Sequence, residues 1–394
     1  MILNRYGYKN SKLKLLHIIT DLSTGGAEMM LYKLVSKMDR SQFDIYVVSL
    51  TNIGPVGEKI KKLNIPVVAV GMKRGWKGFF SFSGFFRLLK ITKNYKPNVI
   101  QTWMYHSDLI GGLVGKLLKV PVIWNIRQSN LNPKYNKKTT IWTVKICAKF
   151  SKILPKKIVC CSYASKNIHS KLGYDEDKMI VIPNGFNLDA FLPDKQGREK
   201  VRRELGLNDK IIVIGFAARF DPQKDHKNFF EAAEMVHKAY PDVHFLLCGD
   251  GISWDNKKLR EWIEKSGVKK VTHLLGRRDD MKNIYNLIDI FSFSSSYGEG
   301  FPNVIGEAMA CEVPCVVTNV GDSSIIVGET GFVIPPKKPE ALAEAIIKMI
   351  KIGVEKRREL GRKARKRIEG NYSIEKIVNN YEQLYKKIIS KYPN

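Results

Sequence analysis

"KLLHIITDLSTGGAEMMLYKLVSKM", residues 14–38, runs from an apolar stretch through a glycine-rich turn into a pattern with apolar residues three and four apart. Strand, Gly-rich turn and helix in that order form the opening unit of a parallel sheet covered by helices. The alternation continues outward from it. Strand-like runs follow at "FDIYVVSL" (43–50), "PVVAV" (66–70), "PNVIQTW" (97–103), "VPVIWNI" (120–126), "IVCCSY" (158–163) and "MIVIPNG" (179–185). Polar and turn residues then cluster in "DAFLPDKQGREKVRRELGLNDK" (189–210), which reads as a boundary. A second series starts over at "KIIVIGFAAR" (210–219). It continues through "HKNFFEAAEMVHKAY" (226–240), "VHFLLCGDG" (243–251), "VTHLLG" (271–276), "IDIFSFSS" (288–295), "PCVVTNV" (314–320) and "GFVIPP" (331–336). The expectation is an α/β chain of two doubly wound sheets, whose ligands bind beyond the carboxyl ends of the strands. Its domains would be 1–193 and 194–371, with the amphipathic tail 372–394 packing back toward the first. Neither half shows G-x-G-x-x-G after its first strand, which counts against a dinucleotide dehydrogenase.

The 394 residues suffice for two substantial cores, and 44% hydrophobic with 26% charged is ordinary for a globular chain. The net charge of +28 is not ordinary. Residues 1–190 hold 31 Lys/Arg against 10 Asp/Glu, and the remainder 35 against 28. An anionic partner for the first half follows. No apolar stretch is long enough to span a bilayer, and "MILNRYGYKNSKLKLLHIIT" (1–20) lacks a signal-peptide pattern. Six cysteines without metal spacing read as buried reduced thiols, and a cytoplasmic location is expected.

Three stretches look like sites. In "EGFPNVIGEAMA" (299–310), Pro302 suits a helix start, and the amides of Asn303 and Val304 would point toward an anion. Glu299 and Glu307 could accept paired sugar hydroxyls, or could be a dipole-favoured and a solvated glutamate; spacing does not separate these. In "GFAARFDPQKDHKNF" (215–229), Arg219 and Lys224 follow a buried strand and could clamp a diphosphate, or form an ordinary solvated pair. In "DLSTGGAE" (21–28), Gly25 and Gly26 either approach a ligand or only make a tight turn.

Together these stretches resemble the E-x7-E signature of retaining family-4 glycosyltransferases with the GT-B fold, two Rossmann-like domains facing each other across a cleft. The resemblance extends through "VIPNGFNLDAF" (181–191), "GFPNVIGEAMACEVPCVVTNVGD" (300–322) and "TWMYHSDLIGGLVGKLLKVPVIWNIRQS" (102–129). It implies that Glu299 holds hydroxyls of the donor sugar and Glu307 the ribose. Arg219 and Lys224 would bind the diphosphate and offset its charge as the glycosidic bond breaks. Gly300, Phe301, Asn303 and Val304 would supply backbone contacts, Gly276 and Arg277 would touch the base, and Gly26 and His106 would serve from the first domain. His106 alone could equally be a satisfied structural histidine. Gln101, Trp103, Glu312 and Ile325 depart from the family pattern, the first two suggesting a different acceptor side. The implied chemistry is front-face attack with retention, without cofactor or metal. Asp175–Glu176–Asp177 reads as an exposed acidic turn rather than a metal site.

The donor expected from the resemblance is a nucleotide sugar, UDP-linked by family frequency, and the acceptor a lipid-linked glycan. A nucleotide-sugar 2-epimerase and a non-catalytic binding protein are the alternatives. Residues 72–97 interleave Trp76, Phe79, Phe80, Phe82, Phe85 and Phe86 with Lys and Arg, and 134–157 is also basic. Basic residues beside aromatics suit an anionic membrane surface, giving a peripheral protein at the inner face of the membrane. The alternative places these aromatics in the core. Nucleic acid is not expected, since no recognised nucleic-acid-binding signature occurs.

Overall fold

The computed structural model describes residues 12–73, 82–133 and 136–392. Trp76, Phe79 and Phe80, and most of the segment read for a signal peptide, lie outside them. The described chain forms two units, one from residues up to 185 together with 374 onward, the other from 186 to 373.

Seven parallel strands make the first sheet: β1 (Leu13–Ile19), β2 (Phe43–Ser49), β3 (Val67–Ala69), β4 (Val99–Trp103), β5 (Val122–Ile126), β6 (Lys157–Cys160) and β7 (Met179–Val181), ordered β3-β2-β1-β4-β5-β6-β7. β4 and β5 are buried at every residue, as strands covered on both faces must be, hence their continuous rather than alternating apolarity. α1 (Gly26–Lys37) and α2 (Pro55–Lys61) pack on one face; α3 (Phe82–Tyr95), α4 (Tyr105–Leu118) and α5 (Lys138–Phe150) pack on the other. α6 (Tyr163–Lys171) joins β6 to β7 and is capped by Ser162, whose Oγ accepts from the Ser165 amide.

The second sheet has six parallel strands: β8 (Ile212–Ala217), β9 (Val243–Cys248), β10 (Thr272–Leu274), β11 (Ile290–Phe293), β12 (Cys315–Thr318) and β13 (Phe332–Ile334), ordered β10-β9-β8-β11-β12-β13. α7 (Lys195–Glu204), α10 (Met281–Leu287), α11 (Asn303–Ala310), α12 (Ser323–Val327) and α14 (Gly353–Tyr372) share one apolar core. α8 (His226–Ala239), α9 (Lys257–Lys265) and α13 (Pro339–Lys351) share the other. After Ser373 the chain re-enters the first unit as α15 (Ile374–Lys391), whose Ile377, Tyr381, Tyr385 and Ile388 complete the core against α1 and β1.

Residues 186–193, expected with the first domain, fall in the second unit. Phe186 is fully buried there, its amide donating to Tyr372 O (2.9 Å), and a Cβ on Gly306 would stand 2.1 Å from its ring.

Candidate active site

In each sheet the winding direction reverses once, between β1 and β4 in the first and between β8 and β11 in the second. The strand carboxyl ends part at such a reversal and leave a crevice. The residues singled out in the sequence gather at these two places.

At the β8/β11 reversal two loops are stitched together. Asp221 accepts from the Gln223 amide (2.9 Å) and from Arg219 Nε (3.1 Å), which curls the chain leaving β8. Asp225, left-handed at φ 51°, caps α8 by accepting from the Asn228 amide. The loop leaving β11 fastens onto this turn. Ser294 Oγ donates to Lys224 O (2.9 Å), and the Ser296 amide to Gln223 O (2.8 Å). The stitching brings Lys224 Nζ to 2.6 Å from Glu299 Oε1, and Ser295 Oγ donates to the same oxygen at 2.8 Å. Lys224 is 14% and Glu299 9% exposed, so the pair sits where a charge stripped of its partner would be costly. Neither contact uses Glu299 Oε2. Arg219 lies beside them, 58% exposed.

Glycines close the surrounding loops. A Cβ on Gly321 (φ 63°) would stand 2.4 Å from Glu299 O, and the Asp322 amide donates to Gly300 O at 2.9 Å. A Cβ on Gly249 (φ 146°) would stand 2.1 Å from Ala218 O, and the Gly249 amide donates to Gly276 O. The loops after β8, β9, β10, β11 and β12 are thus tied together. Arg277, exposed, lies 4.0 Å from Asp250 on the rim.

Pro302 is the N-cap of α11 rather than a residue of its first turn, and Asn303 and Val304 begin the helix. Their amides are among the four that an α-helix leaves without an internal acceptor. Phe301 turns its ring into the core against Phe186 and Tyr372, so only its backbone is available to a ligand. Glu307, half-buried, accepts from the buried Tyr285 hydroxyl at 3.0 Å.

At the β1/β4 reversal, Gly25 caps α1 and Gly26 begins it. A Cβ on Gly25 would strike the Glu28 carboxylate at 2.3 Å, whereas one on Gly26 would meet nothing within 4 Å. Gly25 is extended, and a Cβ there would displace only the end of the Glu28 side chain, so the turn itself requires glycine at neither position. His106 stands in the first turn of α4; burial lowers its pKa from 6.5 to about 4, so the imidazole is neutral at neutral pH.

Four further residues shape the site. Asp221 orients Arg219, Ser295 holds Glu299, Tyr285 holds Glu307, and Gly321 admits the Glu299 backbone. The D-P-Q turn after Phe220 signalled the first; the others act through tertiary contacts without a local pattern.

Gln101 and Trp103, read as pointing to an altered acceptor side, are fully buried. The Tyr385 hydroxyl donates to Gln101 Oε1, and Trp103 Nε1 donates to His17 Nδ1 at 3.3 Å. They clamp α15 rather than face a ligand. Glu312 adopts φ 61°, a left-handed position that glycine fills without strain, and is half-buried. Ile325 is exposed on α12. Asp175–Asp177 precede β7, at the amino-terminal ends of the strands, with Glu176 held by Ser170 and Lys166. All six cysteines are buried and unpaired. Among the described residues no group of three or more His, Cys, Asp or Glu side chains is placed to hold a metal, and no helix is long and apolar enough to cross a membrane.

The first half matches the family model Glycosyltransferase Family 4 over residues 24–190, and the second matches Glycosyl transferases group 1 over 197–367. The chain is 24% identical over 387 residues to the UDP-Gal:alpha-D-GlcNAc-diphosphoundecaprenol alpha-1,3-galactosyltransferase of Escherichia coli, covering 95% of this chain and 97% of that one. It is 25% identical over 368 residues to the capsular polysaccharide biosynthesis glycosyltransferase CapM of Staphylococcus aureus, covering 89% and 92%. Among solved structures, Anabaena Alr3699/HepE in complex with UDP aligns with a TM-score of 0.83 at 20% identity over 95% of this chain and 100% of that one. With two parallel-sheet Rossmann-like halves, each matched by its own domain model, the chain belongs to the family-4 glycosyltransferases of the GT-B fold.

Proposed function

We propose that this protein transfers a hexose or N-acetylhexosamine from a UDP-sugar to a hydroxyl of a lipid-linked glycan at the cytoplasmic face of a membrane, with retention and without a metal. The observation that carries the reading is the Lys224–Glu299 pair at the β8/β11 reversal, with Arg219 beside it. Lys224 and Arg219 offset the negative charge that grows on the diphosphate as the sugar–oxygen bond breaks. Glu299, fixed through Oε1, offers Oε2 to hydroxyls of the sugar. Glu307, fixed by Tyr285, takes the ribose hydroxyls, and the first amides of α11 take a phosphate. Gly276 and Arg277 border the base; neutral His106 and Gly26 stand at the carboxyl-terminal rim of the first sheet. The Escherichia coli relative is named for transfer to a diphosphoundecaprenol-linked sugar, which supports a lipid-linked acceptor.

The test incubates the protein with a panel of nucleotide sugars, with and without membrane extract, in the presence of EDTA. Nucleotide release and sugar incorporation that require the extract are expected. Epimerisation of the donor without an acceptor, or binding without turnover, overturns the reading.

A further inference from the structure

The strand-to-helix turn that carries His106 holds a residue in a conformation that L-amino acids avoid. Met104, the N-cap of α4, has φ 71° and ψ 158°. Lys119 and Asp225 also have positive φ, but their ψ values of 23° and 54° leave them in the ordinary left-handed region. The Met104 combination is one that glycine alone adopts freely. A residue so strained persists only where its surroundings over-determine it, and such places cluster at functional sites.

Asp108 supplies that constraint. Its amide donates to Met104 O at 2.9 Å and closes the first turn of α4. Its side chain reaches back past Met104, where Oδ1 accepts from Thr102 Oγ1 of β4 at 2.5 Å and, more loosely, from the Asn125 amide of β5 at 3.4 Å. Asn125 O in turn accepts from the Met104 amide at 3.0 Å. Thr20, just beyond β1, bonds the Ser107 hydroxyl at 3.1 Å, so three strands grip this one turn. α4 approaches the sheet closely enough for these bonds at Gly111, where a Cβ would stand 2.5 Å from Thr102 Cγ2. Tyr105, Ser107 and Asp108 are all buried, and His106 alone of residues 105–108 is half-exposed. Asp108 Oδ2 has no partner, and burial raises the carboxyl well above the usual range, so the neutral acid is the form this site favours.

We propose that Asp108 is a positioning residue for sugar transfer, bracing the Met104 turn so that His106 stands in one place at the carboxyl-terminal rim of the first sheet. Asp108 is fully buried and touches no ligand; it acts only through the turn. Stability alone gives no reason for this arrangement. Glycine at position 104 would take the same backbone without a brace, and a buried carboxyl with an unpartnered oxygen is costly. The two unfavourable features meet around His106, and what they secure is its orientation. The proposal deepens the transferase reading and rests on it for the role of His106.

Transfer by the full chain is measured with the panel of nucleotide sugars and membrane extract, UDP binding by calorimetry, and unfolding by urea. Asp108→Leu should bind UDP as the unaltered protein does, yet transfer about a hundredfold more slowly at saturating donor, the loss that a misplacement of about 1 Å causes. Asp108→Asn, the isostere of the neutral acid, should restore transfer to within a few-fold. Added to His106→Ala, Asp108→Leu should cost nothing further, because residues that act as one unit are not additive. Independently of activity, Met104→Gly should unfold at higher urea than Met104→Ser, whereas serine matches or exceeds glycine at an ordinary N-cap. That pair decides the matter even where Asp108→Leu fails to fold. Normal transfer by Asp108→Leu, no rescue by asparagine, a further loss in the His106→Ala background, or serine matching glycine at position 104 overturns the proposal. Absence of transfer by the unaltered protein overturns the transferase reading instead, and leaves the order of the two Met104 variants unchanged.

Discussion

Lys224 and Glu299 come from loops 75 residues apart, yet meet at 2.6 Å with little solvent around them. In such surroundings losing one member of a pair costs more than losing both, because the survivor keeps its charge without compensation. Lys224→Met and Glu299→Gln are each expected to lower unfolding stability by about 2–4 kcal/mol, with the double variant losing less than the sum. Chemical denaturation of the four proteins checks this, and additive losses would show the pair to be uncoupled. Sugar transfer should be lost in all three variants, which separates the chemical role from the structural one. Both residues were legible in the sequence because each follows a buried strand in a recognisable motif. Ser295 and Tyr285 were not, although they fix the two glutamates, because a hydroxyl that bonds a residue brought near by folding leaves no periodic trace.

Among the elements, α15 shows how far local pattern reaches. Its amphipathicity is plain in "SIEKIVNNYEQLYKKIISK", but its partners α1, β1 and β4 lie more than 270 residues away in the chain. Gln101 and Trp103, departures from the family pattern that suggested a different acceptor side, show the same limit: nothing near them in the chain announces Tyr385 or His17. The strands were readable because burial on both faces makes them unbroken apolar runs. The unit boundary was not, because Phe186 looks like a loop residue until Gly306 makes room for its ring. If α15 completes the first core, Ile377→Ala should destabilise the first unit by about 2–4 kcal/mol. Two-probe urea unfolding should show that unit's transition moving while the second unit's midpoint stays. A shift of the second unit alone would place α15 elsewhere.

Over the whole molecule, histidine burial sets the response to acid. Burial lowers His17 and His226 to about 3, and His106 and His169 to about 4, from an ordinary 6.5. In neutral His169, Nδ1 donates to Ser165 O and Nε2 accepts from the Tyr105 hydroxyl; burial outweighs the Ser165 bond, which on its own favours the proton. The folded protein binds fewer protons than the unfolded chain below pH 6.5, so stability present above 6.5 is lost as pH falls toward 4 and then 3. Urea midpoints at pH 7.5, 6 and 5 should fall in that order; constant midpoints would mean that these histidines titrate normally.

The two passages of the chain between units carry a consequence for synthesis. Residues 186–373 are continuous and can close their own core as soon as they leave the ribosome. The first unit cannot, because its last helix, α15, is translated only after the whole of the second unit. For the time taken to make more than 180 residues, the α1 side of the first sheet waits uncovered, its apolar surface open to chaperones or to another nascent chain. Premature termination within residues 374–391 would therefore damage the half of the protein made first, while leaving the second unit whole.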